Sequence, residues 1–229
     1  MFGKKKEQKA PNLGKIGVGR FWAWSSREFS ETANVLILLY ISYYCVNTLF
    51  LNPLIITTLL AVSKLVDAVT DVLAGYIVDK THTKLGKGRP YELCIIGTWV
   101  CTYLMFSASP QWADVTKYIW VMAMYTMVNA VFNTFLNAGE NVYMIRSFND
   151  QQVVKINSYI GIISSFAGLV VNIVLPQLIS HYQSEVGGWQ KIVLFIGAPL
   201  GIIAFMRFFF IKETRNLDHV EQERGESAK

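Results

Sequence analysis

The sequence predicts an all-α membrane protein of six transmembrane helices. Three observations carry that reading: an apolar composition, six long apolar runs, and a lopsided distribution of basic residues. Of the 229 residues, 52% are apolar and 14% aromatic, and the mean hydropathy is +0.33, so much of this chain is poorly suited to an ordinary globular surface. The 21 Lys and Arg against 16 Asp and Glu give a net charge of +5. The basic residues gather at the ends of the apolar runs, which fits membrane topology better than a nucleic-acid partner.

A helix needs roughly 20 mostly apolar residues to cross the hydrocarbon core. Six stretches qualify, at 31–51, 54–78, 92–109, 117–143, 156–181 and 190–211. Before the first of them, residues 15–30 set Phe21, Trp22 and Trp24 beside Arg20 and Arg27. That mixture suits a membrane interface and marks a candidate extension of the first helix. The second run follows a tight turn at Asn52-Pro53, and the third follows a basic loop from Lys80 to Pro90. Short polar breaks near Ser109-Pro110, Asn149-Asp150 and Gly187-Gly188 separate the rest. Connections this short make neighbouring helices antiparallel.

With the amino terminus in the cytoplasm, Lys4, Lys5, Lys6, Lys9, Lys15, Lys80, Lys84, Lys87, Arg89, Arg146, Lys155, Lys212 and Arg215 fall inside. Only Lys117 and Lys191 fall in outside loops. Six spans return the carboxyl end to the cytoplasm, so helix count and charge agree. The chain then divides into a basic cytoplasmic tail (1–14), a six-helix transmembrane domain (15–211) and a charged cytoplasmic tail (212–229). No apolar segment with a small-residue cleavage site follows the lysine-rich start, which argues against a removed signal peptide. The three cysteines, Cys45, Cys94 and Cys101, lie inside apolar runs without metal-site or disulfide spacing and read as packing residues.

An ionisable side chain at mid-bilayer costs about 2.5–3.5 kcal/mol on insertion scales, so it faces a bundle interior or an aqueous cavity. The second span carries Lys64, Asp67 and Asp71 at i, i+3 and i+7, on one face, with Thr70 beside them. Asp71 lies eight residues, about 12 Å of helix, from Asp79 at the helix end. Two carboxylates one turn apart with a hydroxyl between them are hard oxygen ligands of the kind Na⁺ needs, and their mutual repulsion also suits them to carry a proton. The competing reading is a structural ion pair in which Lys64 neutralises one carboxylate and the other is hydrogen-bonded. The fourth span adds a second polar stripe, Asn133, Thr134, Asn137, Glu140 and Asn141. Such residues are either partners of the first stripe or hydrogen-bonding glue between helices. Arg27, Glu28 and Glu31 add charge at the start of the first helix. On the fifth span, Gly161, Ser164, Ser165 and Gly168 form a small-residue face suited to close helix packing. No nucleophile and base pair, phosphate-binding glycine loop or metal-ligand motif occurs, so the chain is not read as an enzyme.

The run Lys64-Leu65-Val66-Asp67-Ala68-Val69-Thr70-Asp71, then Gly75-Tyr76-Ile77-Val78-Asp79-Lys80-Thr81, then Gly86-Lys87-Gly88-Arg89-Pro90-Tyr91 resembles the glycoside-pentoside-hexuronide cation symporters. The resemblance spans about residues 12–215. It implies the amino-terminal half bundle of a major facilitator fold, made of two inverted three-helix repeats. It further implies a cation site at Asp67, Thr70, Asp71 and Thr134 for Na⁺ or H⁺, with no other cofactor. Substrate binding falls to Glu31, Asn137, Glu140 and Asn141, and gate or structural roles to Lys64, Gly75, Asp79, Gly86 and Arg89. The chain departs from the family at Thr70, where an asparagine is expected, at Gly161, where an arginine is expected, and at Asn141, where an aromatic is expected.

The function implied is cation-coupled symport of a small-molecule solute, a sugar or glycoside, across the inner (cytoplasmic) membrane. The bundle would need a second six-helix bundle, from a separate half or a second copy. A non-transporting truncated or scaffold protein is the other expectation.

Overall fold

The computed structural model describes residues 15–214. Lys4, Lys5, Lys6, Lys9 and the tail from Arg215 onward lie outside the described residues. Among the described residues, eight α-helices make six spans. The first span is α1 (Val18–Leu39) continued, after a break at Tyr40, by α2 (Ile41–Asn47). The second is α3 (Pro53–Lys80), and the third is α4 (Cys94–Met105), entered through a 3₁₀ turn, Arg89–Leu93. The fourth is α5 (Asp114–Thr126) and α6 (Thr134–Ser147), joined without interruption by a π-helical turn, Met127–Asn133. The fifth and sixth are α7 (Asp150–Tyr182) and α8 (Gly188–Phe210).

Five of these spans are long and apolar enough to cross a membrane among the described residues. The third is short, with 12 residues in α4 and 5 in its 3₁₀ turn. At 1.5 and 2.0 Å per residue these reach about 28 Å together, close to a hydrocarbon core. The tighter, more extended 3₁₀ turn thus supplies the length that α4 lacks.

Local chemistry sets the helix ends. Asn52 caps α3, its side-chain oxygen accepting from Leu54 N at 2.9 Å with Pro53 in the first turn. Asn149 and Gln152 form a reciprocal capping box on α7. The turn between the first two spans is tight enough to hold Phe50 at φ 57°. It is pinned by Lys117, whose ammonium donates to the Leu49 carbonyl at 3.2 Å, and by the Tyr118 hydroxyl, which accepts from Asn52 N at 2.9 Å.

Two boundaries differ from the sequence expectation. The first helix begins at Val18, not near 31. The segment before 31 thus extends the first helix, the candidate its sequence offered, and Arg27, which hydropathy penalises, is fully buried among carboxylates inside the bundle. Lys117, expected in an outside loop, stands in the first turn of α5 and is buried, because the Leu49 carbonyl and Asp114 satisfy its ammonium.

The packing repeats itself with the two halves exchanged. α3 packs on the fourth span as α7 packs on α1; α4 packs on the fourth span as α8 packs on α1; and α4 meets α8 between them. Spans one to three and four to six are therefore related as two inverted three-helix repeats. The main core runs through Tyr44, Trp99, Met105, Phe106 and Trp189, with Phe106 and Trp189 stacked at 5.3 Å. A smaller cluster of Trp24, Tyr143, Phe148, Ile156 and Ile211 closes one end. That end carries most of the described basic residues. There the start of α1, the end of α6, the start of α7 and the end of α8 are tied by Arg20 to Ser147 O (2.7 Å), Gln152 to Lys15 O (2.9 Å) and Tyr143 to Ile211 O (2.8 Å).

Candidate functional site

Asp67 and Asp71 of α3 meet the fourth span at Thr134. Its hydroxyl oxygen lies 2.8 Å from Asp71 Oδ1, 3.3 Å from Asp67 Oδ1 and 3.1 Å from the Asn129 carbonyl. A hydroxyl has one proton, so it satisfies one of these acceptors at a time and leaves the others able to take a cation. The bond from Thr134 to a carbonyl five residues back marks the π turn that precedes it. An ordinary helical hydroxyl reaches four residues back. The inserted residue rotates the face of α6 relative to α5, and such bulges recur at functional sites. Nothing in the sequence spacing announced it.

Lys64 Nζ lies 3.1 Å from Asp67 Oδ2 and 3.3 Å from Asn129 Oδ1. Asp67 is half-buried and Asp71 is exposed on the open face of α3. With one ammonium against two carboxylates the patch holds one surplus negative charge, which a single monovalent cation or proton would neutralise. The Thr70 hydroxyl donates to the backbone, with Asp67 O at 2.9 Å and Val66 O at 3.2 Å, which leaves its oxygen lone pairs uncommitted by these bonds. Asn133 turns away from the stripe and accepts from Thr98 of α4 at 3.2 Å.

A second charged cluster lies deeper. Arg27 of α1 and Arg207 of α8 are both fully buried. Arg27 bonds Glu140, the Leu136 carbonyl (3.2 Å) and Glu31 (3.2 Å), and lies 3.5 Å from Glu92. Arg207 bonds the other Glu140 oxygen at 2.7 Å, lies 3.5 Å from the same Glu92 oxygen, and sits 3.6 Å over the Trp24 ring. Glu140, expected at the substrate, thus has each oxygen taken by an arginine. Glu31 stands at the edge of this cluster, where with Glu28, Thr32 and Ser164 it lines a cleft of about 320 Å³. Asn137 and Asn141 are exposed. Sequence reasoning missed Glu92 and Arg207, although an arginine inside the last apolar run is an available signal for a buried partner.

The loop between the second and third spans folds onto its own bundle. The Glu213 carboxylate accepts from the backbone N–H groups of Lys87 (2.9 Å), Gly88 (2.8 Å) and Arg89 (2.9 Å). Gly86 has φ +121°, and a Cβ there would lie 2.4 Å from the Glu213 carboxyl carbon, so this turn requires glycine. Arg89 donates to the Phe208 carbonyl through Nε (3.0 Å) and Nη2 (2.7 Å), capping the last turn of α8. Asp79 is exposed, and Gly75 is half-buried with open space at its Cβ position. Of the fifth-span small residues, Ser164 bonds Thr32 at 2.8 Å and a Cβ at Gly168 would come into van der Waals contact with the Thr32 methyl, whereas Gly161 and Ser165 lie on the exposed face.

A multi-pass α-helical bundle of two inverted three-helix repeats, with ionisable side chains on an open intramembrane face, defines a secondary-transporter class of protein. The particular family follows from sequence: the family described as MFS/sugar transport protein matches residues 31–229, and the chain belongs to it. Similar relatives include the uncharacterized symporter YnaJ of Bacillus subtilis, 24% identical over 92% of this chain and 47% of that protein. The isoprimeverose transporter of Lactiplantibacillus pentosus is 21% identical over 78% of this chain and 38% of its own length. The inner membrane symporter YicJ of Escherichia coli is 23% identical over 86% and 41%. The chain therefore spans less than half the length of each of these relatives.

Proposed function

We propose that this bundle is the cation-binding part of a solute symporter. Its coupling ion is Na⁺ or H⁺, and its solute is a sugar or glycoside, in keeping with the family description and with the isoprimeverose transporter among its relatives. The observation that carries the reading is the meeting of Asp67 and Asp71 at Thr134 across two spans. Carboxylate, hydroxyl and the Asn129 carbonyl form an all-oxygen set with one surplus negative charge, which matches a hard monovalent cation. Thr70 stays in the proposed site by position and stiffens it through its backbone bonds. Glu31, Asn137 and Asn141 face the solute, and Glu140 helps to orient Glu31 by fixing Arg27. A second six-helix bundle, covalently continuous or separate, completes the cavity, and Asp79, with the loop held by Gly86 and Arg89, forms the gate against it. The crowding of basic residues at one end supports a topology with both termini in the cytoplasm.

The test is Na⁺ titration of the purified chain at two pH values, followed by tryptophan fluorescence and calorimetry. Saturable heat that disappears in Asp67→Asn and Asp71→Asn supports the site. A folded protein that neither binds Na⁺ nor releases a proton sinks it.

A further inference from the structure

At the end of the bundle opposite the basic one, the end of α2, the loop 106–111 and the loop 183–187 with the first turn of α8 enclose a cavity of about 640 Å³. Its floor is aromatic and buried. The Phe106 ring lies 5.0 Å from Tyr44 and 5.3 Å from Trp189. The walls are held by bonds of their own. The Tyr44 hydroxyl donates to the Ala108 carbonyl at 2.8 Å and Trp189 Nε1 donates to the Thr48 hydroxyl at 3.0 Å, tying the first loop and the start of α8 to the end of the first span. In the other loop Glu185 N donates to the Tyr182 carbonyl and Gly188 N to the Glu185 carbonyl, each at 3.0 Å, with Gly187 at φ 70°. The recess is therefore preformed, and its size is that of a small-molecule site, about 300–1,000 Å³.

The rim is polar and carries no spare charge. The side chains of Gln111, Ser184 and Gln190 make no hydrogen bond among the described residues. The Gln183 amide accepts from the Tyr43 hydroxyl at 2.9 Å and keeps its N–H groups free, and the Ser109 hydroxyl accepts from Gln111 N at 3.3 Å and keeps its proton. The charged residue of the lining, Glu185, is paired with Lys191 at 2.6 Å. We propose that this cavity is an outer capture site for a neutral saccharide, seated over the apolar floor with its hydroxyls against the Gln111, Gln183 and Gln190 amides and the Ser184 hydroxyl. Amides and hydroxyls both donate and accept, as a sugar hydroxyl does, so the rim matches such a ligand in either sense. An apolar ligand would leave those amides unpaired, and a charged one would be desolvated without a counter-charge. The ligand class comes from the lining of this cavity; its outward placement rests on the topology proposed above, and the cation patch plays no part in it.

The full chain in nanodiscs is titrated with maltose, lactose and xylobiose, and binding is read by saturation-transfer NMR and calorimetry with and without Na⁺. At least one of these sugars should bind saturably, equally in both conditions. A neutral hydrogen bond is worth about two- to tenfold in affinity, so Gln111→Ala with Gln190→Ala should weaken binding roughly tenfold. Ser184→Trp, which fills the recess from its rim without removing a bond, should block it. Asn137→Ala with Asn141→Ala, on the proposed solute face, should leave this affinity within about twofold. In right-side-out vesicles an impermeant maleimide should label Val186→Cys, at the fully exposed mouth of the cavity, and saturating sugar should slow that labelling at least twofold. Loss of Na⁺ binding in the separate cation titration would sink the coupling reading and leave these expectations standing. A folded protein that binds none of the three sugars, equal losses in the two double variants, tighter binding of glucuronate or glucosamine, or labelling only after permeabilisation would overturn the proposal.

Discussion

Two groups of charged residues lie within this bundle, and they are built on opposite principles. In the cluster around Arg27 and Arg207 both arginines are fully buried and both oxygens of Glu140 are spoken for. The patch at Asp67 and Asp71 has one ammonium for two carboxylates, one shared hydroxyl, and an exposed face. The first cluster joins α1, α6, α8 and the 3₁₀ turn before α4, so it fixes helices to one another. The second leaves acceptor atoms unsatisfied where an ion can reach them. The contrast teaches that residue type does not separate structural from functional charge in a membrane bundle. What separates them is burial and access: the two arginines of the first cluster are sealed inside the bundle with Glu92 and Glu140 bonded to them, whereas Asp71 stands where an ion can reach it.

The largest effect should follow from breaking the buried cluster. Arg207→Met leaves Glu92 and Glu140 with only Arg27 and removes the guanidinium stacked on Trp24. Loss of one member of a buried ionic set costs about 3–5 kcal/mol. The check is the thermal midpoint and the monodisperse yield in detergent, where a variant as stable as the parent would show that the cluster is not structural. Asp71→Asn at the open patch should leave that midpoint nearly unchanged, because its carboxylate is exposed, yet weaken Na⁺ binding at least tenfold by removing the surplus charge.

Thr134→Ala comes next. It removes the hydroxyl that joins both aspartates to the fourth span, a bond of about 0.5–1.5 kcal/mol, and should weaken cation binding roughly three- to tenfold in the same titration. Gly86→Ala is of similar size but different in kind. It forces a side chain into φ +121° and against Glu213, at about 1–3 kcal/mol of local strain. Hydrogen exchange should rise at the amides of Lys87, Gly88 and Arg89 while cation binding is retained.

The spans were legible in the sequence because each must be apolar over a bilayer's width. The face of Lys64, Asp67 and Asp71 was legible because i, i+3 and i+7 fix a common side of any helix. Thr134 was legible as a member of the second polar stripe and took its cation role from the family resemblance, but its meeting with both aspartates depends on a π turn that spacing rules for a regular helix do not contain. The pairing of Arg207 with Glu92 and Glu140 was not legible, since partners 115 and 67 residues apart are set by how the repeats pack. The extension of the first helix back to Val18 was offered only as a candidate by the aromatic and basic residues of 15–30. A hydropathy window penalises Arg27 for a charge that the folded bundle has already neutralised.

The smallest effect is expected at the far end of the bundle, where Lys191 lies 2.6 Å from Glu185 in full view of solvent. The hydrogen bond from Lys191 holds the Glu185 carboxyl below its ordinary value. A depressed carboxylate contributes stability above its unfolded pKa, about 4.3, and that contribution is lost as pH falls through the folded value. Solvent and salt screen an exposed pair of this sort almost completely. Glu185→Gln should therefore leave the thermal midpoint unchanged from pH 7 down to pH 5, and the parent should show no step between pH 5 and pH 3 that the variant lacks. A distinct step in the parent alone would mean that counter-charge matters for stability at an exposed pair as well as in the buried cluster, and the division drawn between buried and open charge would have to be redrawn around local geometry instead of burial.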